Sequence, residues 1–194
     1  MKDYKLLVLI FILFIGIRLL PYIGNPVPTG YDAGIYIHAI KSFPNLPDWL
    51  VQSFYSALFL LTWPIKLVGL DPENFIVPLA FFVQFVLFAG LFLCVKRVSD
   101  YKTALTAVFL LAVSAIQIRA YWFFYLKYIL SIAFFLSFLS FLGKRSYYKA
   151  TIFGSLTVMT HLLTGGILAA VSLVDTLITQ ENRLKKLFSI VTIC

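Results

Sequence analysis

Six residues stand out from an otherwise apolar chain as groups able to do chemistry: the carboxylate of Asp32, the cations Arg18, Arg119 and Lys127, the imidazole of His161 and the phenol of Tyr36. Asp32 lies in Gly30-Tyr31-Asp32-Ala33-Gly34-Ile35-Tyr36, and helical spacing puts Tyr36 on its face, four residues on. Arg18 closes one apolar run, Arg119 and Lys127 flank Tyr121-Trp122-Phe123-Phe124-Tyr125, and His161 interrupts another apolar run. A carboxylate beside cations and an imidazole can remove a proton from an acceptor while the cations neutralise a departing phosphate. Each group also has a plainer role. Asp32 suits a helix cap, Tyr36 an interfacial anchor, Arg18 a boundary position with its head in water, and His161 a hydrogen bond between helices.

For these groups to meet, the apolar segments must deliver them to one face of a bilayer. The 194 residues are 61% hydrophobic and 12% charged, against roughly half apolar and a quarter charged in soluble domains. That leaves too little polar surface to cover a globule, which excludes a soluble domain, a disordered chain and nucleic-acid binding as the main activity. The net charge of +8 sits mostly in short loops between apolar runs, the pattern of membrane topology and anionic lipid. Cys94 and Cys194 provide neither a disulfide framework nor metal-ligand spacing.

Hydropathy and turn signals predict an all-α polytopic membrane protein. Spans are expected at about 6–23, 75–95, 103–118 and 128–142, with half-spans at 150–163 and 167–179 separated by Thr164-Gly165-Gly166. One uninterrupted span through Ala150–Val174 is the competing arrangement. Residues 24–74 are expected as an outer loop containing surface helices: an amphipathic one near Tyr31–Phe43, and Leu50–Leu70 held at the surface. Asp71-Pro72-Glu73 reads as a helix start, with a capping acid, proline at the first position and an acid in the first turn. Leu187–Cys194 reads as the opening of a further span, so the module is expected to be incomplete. With the N-terminus cytoplasmic, and with the Arg183–Lys186 cluster brought inside by the break into two half-spans, eleven basic residues fall inside and five (Arg18, Lys41, Lys66, Arg119 and Lys127) outside.

On these residues the chain resembles the N-terminal portion of GT-C-type polytopic glycosyltransferases, the class of protein O-mannosyltransferases and aminoarabinose transferases. Arg18-Leu19-Leu20 followed by Gly30-Tyr31-Asp32-Ala33-Gly34-Ile35-Tyr36 is similar to their first outer loop. Leu67 to Phe75 resembles the entry to the next span, and Met159-Thr160-His161-Leu162-Leu163-Thr164-Gly165-Gly166 the break in a later helix pair. The resemblance implies inverting transfer of a hexosyl or pentosyl group from a polyprenyl-phosphate donor at the outer face. It makes Asp32 the catalytic carboxylate of the loop, acting as general base, places Arg18, Arg119 and Lys127 toward the donor phosphate, and completes the pocket with Tyr36 and His161. Ala33 stands where the mannosyltransferases have the second acid of a pair, and Gln117-Ile118-Arg119-Ala120-Tyr121 carries no acid, so neither a metal nor another cofactor is expected.

The expected partners are the lipid-linked donor and membrane lipids, with a further polypeptide supplying missing spans as an open alternative and no nucleic acid. The expected location is the cell membrane. Competing readings are a truncated, inactive relative and a non-enzymatic transport or assembly subunit. A transporter would place ionisable groups near mid-membrane on several helices, whereas here the polar groups crowd one side.

Overall fold

A computed structural model describes residues 3–24, 30, 32–45 and 57–178. Among these residues the chain is all-helical, with no strand: α1 (Asp3–Leu19, continued by a 3-10 turn at Leu20–Tyr22), α2 (Ala33–Ser42), α3 (Ala57–Leu67), α4 (Pro72–Val98), α5 (Tyr101–Val113), α6 (Ala115–Trp122), α7 (Leu126–Gly143), α8 (Tyr147–Thr160) and α9 (Leu162–Ile178). Three stretches, Tyr4–Tyr22, Pro72–Val98 and Leu126–Gly143, are long and apolar enough to cross a membrane, and α5 with α6 makes a fourth if that bent pair is one span.

The central helix is α4, packed on α7, α5 and α2. Its 27 residues reach about 40 Å at 1.5 Å per residue. Asp71 caps it by accepting from the Glu73 N–H at 3.2 Å, and Pro72 sets the first turn. Lys96 and Arg97 occupy the last turn, where cations complement the helix dipole. Beyond α7 lie α8 and then α9, while α1 lies against α5. Phe11, Phe14 and Phe88 interlock where α1 meets α4.

The boundaries depart from the sequence expectation at two breaks. The expected span 103–118 is divided at Ser114, whose extended backbone ends α5 and whose hydroxyl accepts from the Gln117 N–H to start α6. The two helices meet at a bend of 51°. The expected pair 150–163 and 167–179 separates at His161 instead of Thr164-Gly165-Gly166. Those three residues lie inside α9, where Gly165 permits close approach: a Cβ there would come within 3.1 Å of the Val158 Cα. Of the expected outer region 24–74, α2 and α3 are described; the turn at 25–29 and the stretch 46–56 fall outside the described residues, as does the expected further span at 187–194.

Candidate functional site

A cleft of about 390 Å³ is lined by Asp32, Tyr36, Tyr125, Lys127, Tyr128 and His161. Three separate elements supply these side chains: the start of α2, the N-terminal turn of α7, and the residue joining α8 to α9. Four of the six residues singled out from the sequence therefore meet in one place.

Asp32 occupies the N-cap position of α2, but its carboxylate makes no capping hydrogen bond. Two contacts dock its backbone on the α6–α7 turn. The Asp32 N–H donates to Phe123 O at 3.5 Å, and Gly30 lies so close to the turn that a Cβ would stand 2.6 Å from both Phe124 Cβ and Trp122 O. Phe124 itself adopts φ 66° and is buried, a left-handed conformation that is unfavourable for an aromatic residue and is held there by the surrounding packing. This turn ends α6 and directs α7 so that Lys127 faces Asp32.

Tyr36 is 2% exposed. Its ring packs near Phe124, with centroids 6.5 Å apart, and its Oη accepts the Lys127 backbone N–H at 3.3 Å. One residue thus ties α2 to the first turn of α7. Burial raises the Tyr36 phenol well above its ordinary value, the Lys127 N–H opposes that shift, and the Asp32 charge adds to it. Burial also raises the Asp32 carboxyl above the usual carboxylate range, against the pull of the Lys127 ammonium. The result is a partly desolvated carboxylate beside a cation.

His161 performs two structural tasks. Its backbone N–H closes α8 on Thr157 O, and its Nδ1 accepts the Thr164 N–H at 3.4 Å and lies 3.1 Å from Thr164 Oγ1, capping α9 three residues on. With Nδ1 accepting, the ring proton resides on Nε2, leaving a donor for the cleft. The ring stands edge-on to Tyr128, with centroids 5.5 Å apart.

The other two candidates lie elsewhere. Arg18 does not line the cleft and is fully buried at 0% exposure. Its Nε donates to Gln84 Oε1 at 3.1 Å; Nη1 donates to Phe14 O at 3.1 Å and Ala112 O at 3.2 Å; Nη2 donates to Leu111 O at 3.3 Å. The guanidinium also lies over the Phe14 ring, 3.7 Å from its centroid. The break at Ser114 leaves the last carbonyls of α5 without helical donors, and Arg18 supplies donors and positive charge there. Arg119 is exposed on α6, 5.4 Å from the Phe123 ring centroid, and is not part of the cleft lining.

Sequence reasoning missed Tyr125 and Tyr128 as cleft residues, 43% and 42% exposed. Their signal was their place on either side of Lys127 at the start of a helix. Tyr121, at the other end of the aromatic segment from Tyr125, is fully buried.

Away from the cleft, Lys41 on α2 pairs with Glu73 at 2.7 Å and Asp71 at 3.6 Å at the start of α4. Lys66 on α3 donates to Lys41 O at 2.7 Å and to Phe43 O, at the end of α2. These contacts hold α2 from its far end, so Asp32 sits on a helix secured at both termini. Among the described residues no three His, Cys, Asp or Glu side chains come together as a metal site.

No protein family, curated protein or solved structure matches the chain. Among the described residues, the chain's own structure defines an all-helical protein with three helices of membrane-crossing length and apolarity.

Proposed function

We propose that the protein is a polytopic membrane glycosyltransferase-like module, resembling the N-terminal part of the GT-C class in its short sequence motifs, which transfers a sugar from a polyprenyl-phosphate donor at the non-cytoplasmic face. The observation that carries this reading is the convergence of Asp32, Lys127 and His161 on one cleft. In the proposed step, ionised Asp32 takes the proton of an acceptor hydroxyl as its oxygen attacks the anomeric carbon. The bond from that carbon to the donor phosphate oxygen breaks, and the phosphate leaves with the electron pair. Lys127 and the Nε2–H of His161 stabilise the charge that develops on it. Attack from the face opposite the leaving group inverts the anomeric configuration.

Charge distribution supports the orientation. Lys5, Lys96, Arg97, Lys102, Lys144, Arg145 and Lys149 are exposed at the helix ends remote from the cleft, the excess that the positive-inside rule assigns to the cytoplasm. The N-terminus is then cytoplasmic, and the cleft lies across the membrane from it.

The test compares Lys127→Gln with Arg119→Gln in the full chain. Lys127→Gln is expected to weaken polyprenyl-phosphate binding about tenfold and to slow sugar release from the lipid-linked donor, while Arg119→Gln leaves both at the wild-type level. Equal effects of the two substitutions, or no binding by the wild type, would remove the cleft from donor recognition.

A further inference from the structure

The end of the bundle remote from the cleft presents a second arrangement of groups. Tyr101, opening α5, packs edge-on against Tyr4 of α1 with centroids 6.4 Å apart and against Phe92 of α4 at 5.6 Å. Three helix ends are thereby held together. Lys96 Nζ lies 5.8 Å from the Phe92 ring centroid and 5.6 Å from that of Tyr101. Exposed Lys5 and Lys102 adjoin Tyr4 and Tyr101 in the chain. Asp100 caps α5 through the Thr103 N–H at 2.7 Å and offers its charge to Lys102, which leaves Lys5 and Lys96 as the cations beside the α1–α4 surface. Among the described residues none of the three lysines forms an ion pair.

Between α1 and α4, one turn from Lys5 on the first helix and from Lys96 on the second, runs a groove of about 330 Å³. Its walls include Leu7, Val8, Phe11, Phe85, Phe92 and Leu93, so it is hydrocarbon throughout. Phe92 belongs to both features, as a wall of the groove and as a ring beneath Lys96. The volume falls within the roughly 300–1,000 Å³ typical of small-ligand sites. An apolar helix laid in this groove would bring no counter-charge to Lys5 and Lys96, which form no ion pair among the described residues. An anionic amphiphile satisfies both features at once: the chain removes apolar surface from its surroundings and the headgroup neutralises the lysines.

We propose that the α1–α4 groove, with Lys96 and Lys5 at its mouth, is a binding site for an anionic phospholipid, with one acyl chain in the groove and the headgroup phosphate on the two lysines. The site is independent of the chemistry assigned to the Asp32 cleft. The test uses the full chain released from membranes, exchanged against equal amounts of phosphatidylglycerol and phosphatidylcholine, with retained lipid read by native mass spectrometry. Phosphatidylglycerol is expected to be retained preferentially. Lys96→Gln should lower that preference about fivefold, as expected for one lysine near an anionic surface, and Val8→Trp, which fills the groove, should reduce retention of both lipids. If Val8→Trp does not fold, Lys96→Gln still decides the matter, because it alters only an exposed side chain. Equal retention of the two lipids, an unchanged preference in Lys96→Gln, or a lipid-free dimer covering α1 would overturn the proposal.

Discussion

Replacing Arg18 by Leu separates a structural role for this residue from a role in donor binding. The substitution removes every donor of the guanidinium. Phe14 O keeps its place within α1, but Leu111 O, Ala112 O and Gln84 Oε1 lose the partner that Arg18 provides. At about 1 kcal/mol for each buried acceptor left unsatisfied, the low end of the usual range, the loss comes to about 3 kcal/mol. For a chain of this size that corresponds to a fall in Tm of roughly 6–12 °C. In a Cys194→Ser background the buried thiol of Cys94 provides the assay, since its labelling by a thiol-reactive dye on heating in detergent reports opening of the bundle. Arg18→Lys, which keeps the charge and loses the planar fork, should fall between wild type and Arg18→Leu. Unchanged Tm in Arg18→Leu together with weakened polyprenyl-phosphate binding would refute the clamp and return Arg18 to the donor site.

Gly30→Ala places a Cβ 2.6 Å from Phe124 Cβ and the Trp122 carbonyl oxygen. It should cost about 1–3 kcal/mol and weaken sugar transfer through displacement of Asp32, read as a lower Tm together with a lower kcat. His161→Asn keeps an oxygen able to cap Thr164 but removes Nε2, so stability should stay near wild type while transfer falls; His161→Ala loses the cap as well, at about 1 kcal/mol. Because burial raises the Asp32 carboxyl above its ordinary 3.8, the folded state holds this proton more tightly than the unfolded state. Its contribution favours folding fully below pH 3.8 and is lost as pH rises through the higher folded value. Asp32→Asn should therefore gain in Tm over wild type at neutral pH, with the difference closing at acid pH, and the acid limb of wild-type activity should have its midpoint above 3.8.

The parts of this architecture legible in the sequence are those dictated by local chemistry. The cap and proline at Asp71-Pro72-Glu73 announce α4, and the charge-free run that follows fixes its type. Asp32, Lys127 and His161 stand out because ionisable groups are rare on such a chain, and Tyr36 follows from helical spacing. Arg18 was equally visible, but its partners arise from the break at Ser114, which exposes carbonyls from a segment more than ninety residues away. Serine within an apolar run gives no warning of such a break. Thr164-Gly165-Gly166 has the composition of an interruption, yet close packing against Val158 keeps it helical while the His161 cap starts the helix three residues earlier. Tyr121 and Tyr125 look alike in an aromatic segment, and only tertiary packing buries the first and leaves the second in the cleft.

The central claim is that the Asp32 carboxylate accepts a proton during sugar transfer from a lipid-linked phosphate. Its most direct test is the rate at which the full chain in lipid nanodiscs releases polyprenyl phosphate from a labelled polyprenyl-phosphate sugar, measured alongside donor binding for wild type and Asp32→Asn. Matched release and transfer are expected in the wild type, and a loss of about 10²–10⁴-fold in the variant with donor binding retained. Equal rates in the two proteins would contradict it.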